Sequence, residues 1–130
     1  MLDALKITEA VTIKVKEETE SVGSKLLIFY IPHKASIYDD LWHGIERKYG
    51  ITDAYWSMDK VGTEMKYISE RNAIDFVNPT ELVRSEANKL ILGGKRLYFA
   101  RDGHWNADGH KLVGEILAEY INSHYLMNNN

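Results

Sequence analysis

The sequence predicts an α/β domain built on a short, mostly parallel sheet with flanking helices, and three observations carry that expectation. "KLLIFYI" (25–31) is an unbroken, aromatic-rich apolar run ended by Pro32, the pattern of a strand buried on both faces. Two further short apolar runs, "AIDFV" (73–77) and "RLYFA" (96–100), alternate with helical patterns. The last segment places Leu112, Val113, Ile116, Leu117, Tyr120 and Ile121 on one stripe, which suits a helix laid against such a sheet.

In chain order, residues 3–21 read first as a helix with Leu5, Ala10 and Val11 available for burial. The alternation in "VTIKVK" (11–16) leaves a strand as the other reading. The strand 25–31 follows. Ser36 with Asp39 forms an S-x-x-D capping signal, so a helix is expected from there to about Tyr49, stopped by Gly50. A second helix is expected over 57–71, then the strand 73–77 closed by Asn78-Pro79. A helix over 80–92 ends at Gly93-Gly94, and the strand 96–100 leads into the final helix. Residues 1–126 form a single domain in this reading, and 127–130 a polar tail that frays.

At 130 residues the chain suits one hydrophobic core, and 45% hydrophobic with 27% charged residues is ordinary for a globular domain. A net charge of −3, with sixteen scattered Lys and Arg, gives no electrostatic case for nucleic acid. With no cysteine, disulfides, thiolate metal sites and cysteine nucleophiles are excluded. The longest apolar run, Leu26 to Pro32, is too short to span a bilayer. "MLDALKITEA" has no basic region followed by an apolar stretch, so these ten residues are not expected to act as a signal peptide.

The densest chemistry lies in "DGHWNADGH" (102–110), between the last predicted strand and the last helix. In open α/β sheets, catalytic groups gather beyond the C-terminal ends of strands. A general base for a hydroxyl nucleophile needs an imidazole oriented by a carboxylate. Asp102 and His104 can converge in a tight turn through Gly103, whereas a regular helix would separate them. Asn106 fits the N-cap of the final helix, and Asp108 its favoured first turn.

"YFARDGHWNADGHKLVGEILAEYI" resembles the C-terminal block of the SGNH (GDSL-type) hydrolases. In that family an Asp and a His just before the last helix serve a Ser–His–Asp triad. The D-x-H-W-N form is similar to bacterial envelope branches, including alginate-acetylation relatives, that act on acyl groups of carbohydrates. D-x-x-H is the commoner spacing. "SKLLIFYIPHKASIYDDL" and "NAIDFVNPTEL" resemble two of the family's strand ends. The likeness runs over roughly residues 5–124, and only 97–121 is specific.

The resemblance implies a three-layer, flavodoxin-like fold truncated at its N-terminus, in a serine-dependent esterase or O-acyltransferase. It implies His104 as general base and Asp102 as its orienting acid. It also implies an ester substrate, small or carbohydrate-linked, no metal or organic cofactor, and an extracytoplasmic setting. Trp105, inside the motif, is a better candidate for shaping a substrate pocket than the aromatics at 42, 49, 55 and 56. The family's Gly-Asp-Ser block and its oxyanion-hole Gly and Asn have no counterpart here. None of the seven serines lies in a G-D-S or G-x-S-x-G setting. The isolated chain is therefore expected to be inactive, with a second copy or a missing N-terminal segment covering the open sheet edge.

Plainer readings stand beside these. Asp102 and His104 can be turn residues that satisfy backbone groups. The repeated D-G-H suggests a metal site, although no third ligand cluster is evident and His110 fits better as a packing residue. Ser36 fits a helix cap better than a nucleophile, Ser24 precedes its strand, and His33 reads as a loop residue. His43 and His124 fall on helices. Trp42, Tyr49, Tyr55 and Trp56 suit packing better than sugar binding. A non-catalytic accessory or carbohydrate-binding domain derived from the same fold is the alternative function. A small metal-dependent hydrolase is a weaker third.

Overall fold

The computed structural model describes residues 2–52 and 56–127. The chain order is α1 (Leu2–Ser21), β1 (Leu27–Phe29), α2 (Lys34–Ile37), α3 (Asp39–Tyr49), α4 (Lys60–Arg71), β2 (Asp75–Val77), α5 (Thr80–Ile91) and α6 (Ala107–Ile121), which runs on into a π-helical turn, Asn122–Leu126. Strands β1 and β2 pair in parallel, Leu27 opposite Asp75 and Phe29 opposite Val77. The domain is therefore α/β with a parallel sheet, as expected, but helix dominates. Among the described residues no third strand joins the sheet. The frayed tail expected over 127–130 lies, apart from Met127, outside the described residues, as does Tyr55.

Four expectations are corrected. "VTIKVK" is helical throughout, and α1 turns Leu5, Glu9, Thr12, Ile13 and Lys16 toward the body rather than Ala10 and Val11. Ionic and polar contacts set that choice: Arg71 and Asn72 donate to Glu9, and Lys16 donates to the Asn72 carbonyl. Strand β1 is shorter than predicted and half-buried rather than covered on both faces, since it has one neighbouring strand.

Ser36 is not an N-cap. The predicted helix is split at Tyr38, whose extended backbone (φ −119°, ψ 111°) sends its ring into the core, where the hydroxyl accepts from the Leu97 N–H at 2.8 Å. His33 is the cap of the preceding short helix, its Nδ1 accepting from the Ala35 N–H at 3.2 Å. Ser36 is buried, and its hydroxyl points to the Met58 carbonyl at 3.4 Å.

Finally, 96–100 is not a sheet strand. Leu97–Phe99 folds back on His104–Asn106 as an antiparallel hairpin stem, held by Phe99 N–H to His104 O (3.0 Å), Asn106 N–H to Leu97 O (2.9 Å) and the Tyr98–Trp105 bridge.

The core gathers on that stem. Ile37, Tyr38, Val83, Ala87, Leu97, Tyr98, Trp105 and Val113 form one buried cluster. Tyr38, Tyr98, Trp105 and His110 stand edge to face in series, with ring centroids 5.8–6.1 Å apart. Helix α6 can lie this close because Gly109 has no side chain: a Cβ there would sit 2.3 Å from the Leu97 carbonyl oxygen. Asn106 caps α6, accepting from the Gly109 N–H at 3.0 Å. Its side-chain amide also donates to the Arg96 carbonyl at 2.6 Å, so one residue joins helix to hairpin.

Candidate functional site

Asp102, Gly103 and His104 form the tip of the hairpin. Its stem is anchored to the sheet: the Tyr98 hydroxyl donates to the carbonyl of Pro32, just beyond the C-terminal end of β1, at 2.8 Å. Burial pushes the Tyr98 hydroxyl's pKa up to about 12; the Trp105 N–H beside it acts in the opposite direction. That indole N–H meets no acceptor at hydrogen-bond geometry. The tip thus occupies the end of the sheet where ligands collect in α/β folds.

The two tip side chains do converge. Asp102 Oδ1 accepts from the His104 backbone N–H at 2.8 Å, closing a side-chain turn, and lies 3.4 Å from His104 Nδ1. This is ion-pair distance, longer than a formed hydrogen bond. The His104 side chain is 85% exposed and that of Asp102 54%. A contact so open to water is screened and contributes little to stability. Asp102 thus closes the turn through the His104 N–H and lies beside the imidazole with the same oxygen. Among the described residues, no side chain hydrogen-bonds the His104 imidazole.

The other singled-out residues lie elsewhere. Trp105 is 8% exposed and packs in the core between Tyr98 and His110. Asp108 and His110 are on the first turn of α6, and the His110 ring stands edge-on to Trp105. Among the described residues no three His, Asp or Glu side chains are arranged to hold a metal ion. Nor is any helix there long and apolar enough to cross a membrane. His43 pairs with Glu46 on α3 (2.7 Å), and His124 stacks on Tyr120 in the π-turn. Trp56 and Tyr49 are exposed.

Two features were not read from the sequence. Lys34, in α2 directly after β1, donates to the Asp102 carbonyl at 2.8 Å and reaches the Ala100 carbonyl at 3.5 Å. A contact across 68 residues leaves no local pattern. The second is a polar cleft of about 300 Å³ walled by Ser36, Asp39, Trp42, Asp59 and Arg84. Arg84 is fixed there, donating to the Ser36 carbonyl through Nε at 2.9 Å and to both Asp59 oxygens at 3.1 Å. Desolvation works against its charge, yet the carboxylates of Asp59 and Glu81 hold its pKa above the usual value. No family model, curated protein or solved structure matches this chain.

Proposed function

We propose that this chain is the C-terminal part of an SGNH-type serine esterase or O-acyltransferase acting on acylated carbohydrate. In this reading His104 is the general base and Asp102 the acid that orients it. The observation that carries it is the Asp102–His104 contact at the tip of a short hairpin, at the C-terminal end of a parallel sheet. A hydroxyl nucleophile would lose its proton to the imidazole, an acyl-enzyme would form, and Asp102 would stabilise the imidazolium. The 3.4 Å contact suits a free site, because catalytic hydrogen bonds tighten once substrate is bound.

The exposure of the pair fits a site that further chain would complete. An Asp–His pair acts strongly only where water is excluded. The reading therefore expects a serine-bearing segment, or a second copy, to cover the tip and the open sheet edges. Ester hydrolysis by the isolated chain, with a burst lost on removing a serine, would contradict it.

The first test is the source DNA upstream of the Met1 codon. If an in-frame strand and Gly-Asp-Ser are encoded there, the longer chain should release acetate from acetylated oligosaccharides. His104→Ala should then lower kcat by about 10²–10⁴-fold while leaving the fold intact. A longer chain without ester hydrolysis or acyl transfer on such substrates would overturn the proposal.

The polar cleft beside α2 favours a second reading, a carbohydrate-binding domain. Trp42 would offer a stacking face and Asp39 and Asp59 hydrogen-bond acceptors. In that case oligosaccharide affinity survives His104→Ala and falls with Trp42→Ala.

A further inference from the structure

We propose that Lys34 is the positioning residue of the Asp102–His104 tip. Its catalytic meaning rests on the esterase reading above; its geometry does not. The stem's backbone bonds end at Phe99 and His104, and among the described residues the main chain of 100–103 bonds to no other main-chain group. Such a loop should be loose. Instead the Ala100 and Asp102 carbonyls converge on one ammonium, Lys34 Nζ, at 3.5 and 2.8 Å.

The root of that lysine is rigid. Lys34 opens α2, where Ala35, Ser36 and Ile37 are all buried and His33 supplies the cap. Arg84 holds the Ser36 carbonyl with Nε and Nη2, at 2.9 and 2.5 Å. The neighbouring Pro32 carbonyl accepts from Tyr98 of the stem. Stem and tip are thus tied to one short stretch, 32–34, at the end of β1.

Fixing the Asp102 carbonyl fixes the peptide that carries its carboxylate. That carboxylate can then bend back over the His104 N–H and lie beside Nδ1. A cation that clamps two carbonyls does what a backbone ladder does elsewhere in the hairpin, and does so from the sheet side. Without it, Asp102 and His104 keep their sequence spacing but lose their mutual geometry.

The experiment is NMR on the isotopically labelled 130-residue chain, comparing wild type with Lys34→Met and Lys34→Arg. It reads backbone order over 100–104, amide exchange at His104 and the nitrogen shifts of its imidazole. Lys34→Met should take the tip from rigid order parameters toward the flexible range, below about 0.6. It should also speed His104 amide exchange by about 3- to 10-fold, the equivalent of one modest hydrogen bond. The imidazole shifts should move toward those of a free histidine, while His110 and the melting temperature stay unchanged. Lys34→Arg, which can also donate to two carbonyls, should restore the wild-type signals.

Wild-type order and His104 shifts in Lys34→Met would overturn the proposal. So would a general loosening in which Ile37 and Val83 signals move with the tip, since Lys34 would then only support the fold. No substrate is used, so a failed esterase assay leaves this result standing, and a failed clamp leaves the esterase reading to its own test.

Discussion

The two ends of the chain each supply a long helix, and the molecule uses their apolar residues in opposite ways. In α6, Val113 is buried and Leu112 and Ile116 pack against the core cluster, while the helix start is locked by the Asn106 cap and the absent side chain of Gly109. In α1, Ile7, Val11 and Val15 lie at 65%, 58% and 46% exposure. Its inward face carries Leu5, Thr12 and Ile13 beside Glu9 and Lys16, which reach Arg71 and Asn72. An apolar cleft of about 590 Å³, lined by Leu5, Trp56, Val61 and Met65, opens between α1 and α4. One end is a closed core with the Asp102–His104 tip on it, and the other keeps apolar surface in water. The difference shows why amphipathic pattern alone does not fix which way a helix faces: partners decide.

The largest expected effect breaks the closed end. Gly109→Ala puts a Cβ against the Leu97 carbonyl and 2.9 Å from the Trp105 Cβ, both parts of the hairpin stem. Backbone cannot yield as a flexible side chain can, so a loss of about 3 kcal/mol is expected in urea unfolding. The same substitution at the exposed Gly114, where a Cβ meets nothing within 4 Å, should stabilise by about 0.5–1 kcal/mol. Equal effects at the two glycines would mean that α6 does not dock as described.

A smaller effect follows from Tyr98. Its hydroxyl ionises near 10 when unfolded and about 12 in the fold, because burial disfavours the phenolate. Below pH 10 both states hold the proton and stability is complete. Between 10 and 12 the unfolded chain releases it first, so stability falls as pH rises, by about 2–3 kcal/mol in all. Tyr30, Tyr120 and Tyr125 are also shifted upward and add to the slope. The Tyr98 share is the difference between wild type and Tyr98→Phe in unfolding measured from pH 9 to 12. A slope unchanged in the variant would show that this hydroxyl is not closed off from water.

Local signals were legible where one short stretch decided the outcome. The α6 stripe, the Asn106 cap, the left-handed Gly50 at the end of α3 (φ 62°) and the Asn78-Pro79 turn all lie within a few residues of their partners. The convergence of Asp102 with His104 was readable for the same reason. What escaped is held across long separations. The break at Tyr38 depends on Leu97, the facing of α1 on Arg71 and Asn72, and the clamp on the tip on Lys34. Residues 96–100 carried a strand-like pattern but pair with the stretch after their own turn rather than with β1 or β2. Periodicity sees a strand there and cannot see its partner.

The smallest expected effect sharpens the comparison from the open end. Val11 has the apolarity of a core residue, and an inward-facing valine replaced by serine would cost well over 1 kcal/mol. On the exposed face of α1 its side chain has little apolar contact to lose, and serine and valine differ little in helix propensity. Val11→Ser should therefore change unfolding free energy by no more than about 0.5 kcal/mol in dilute solution. Val113→Ser, on the buried face of α6, should cost several times as much. A large loss at Val11 in the dilute monomer would mean that α1 is turned the other way, with Glu9 and Lys16 outward. A loss that appears only at high protein concentration would mean instead that the outer stripe of α1 is covered by a second molecule, and the two ends would differ in what covers them rather than in whether they are covered.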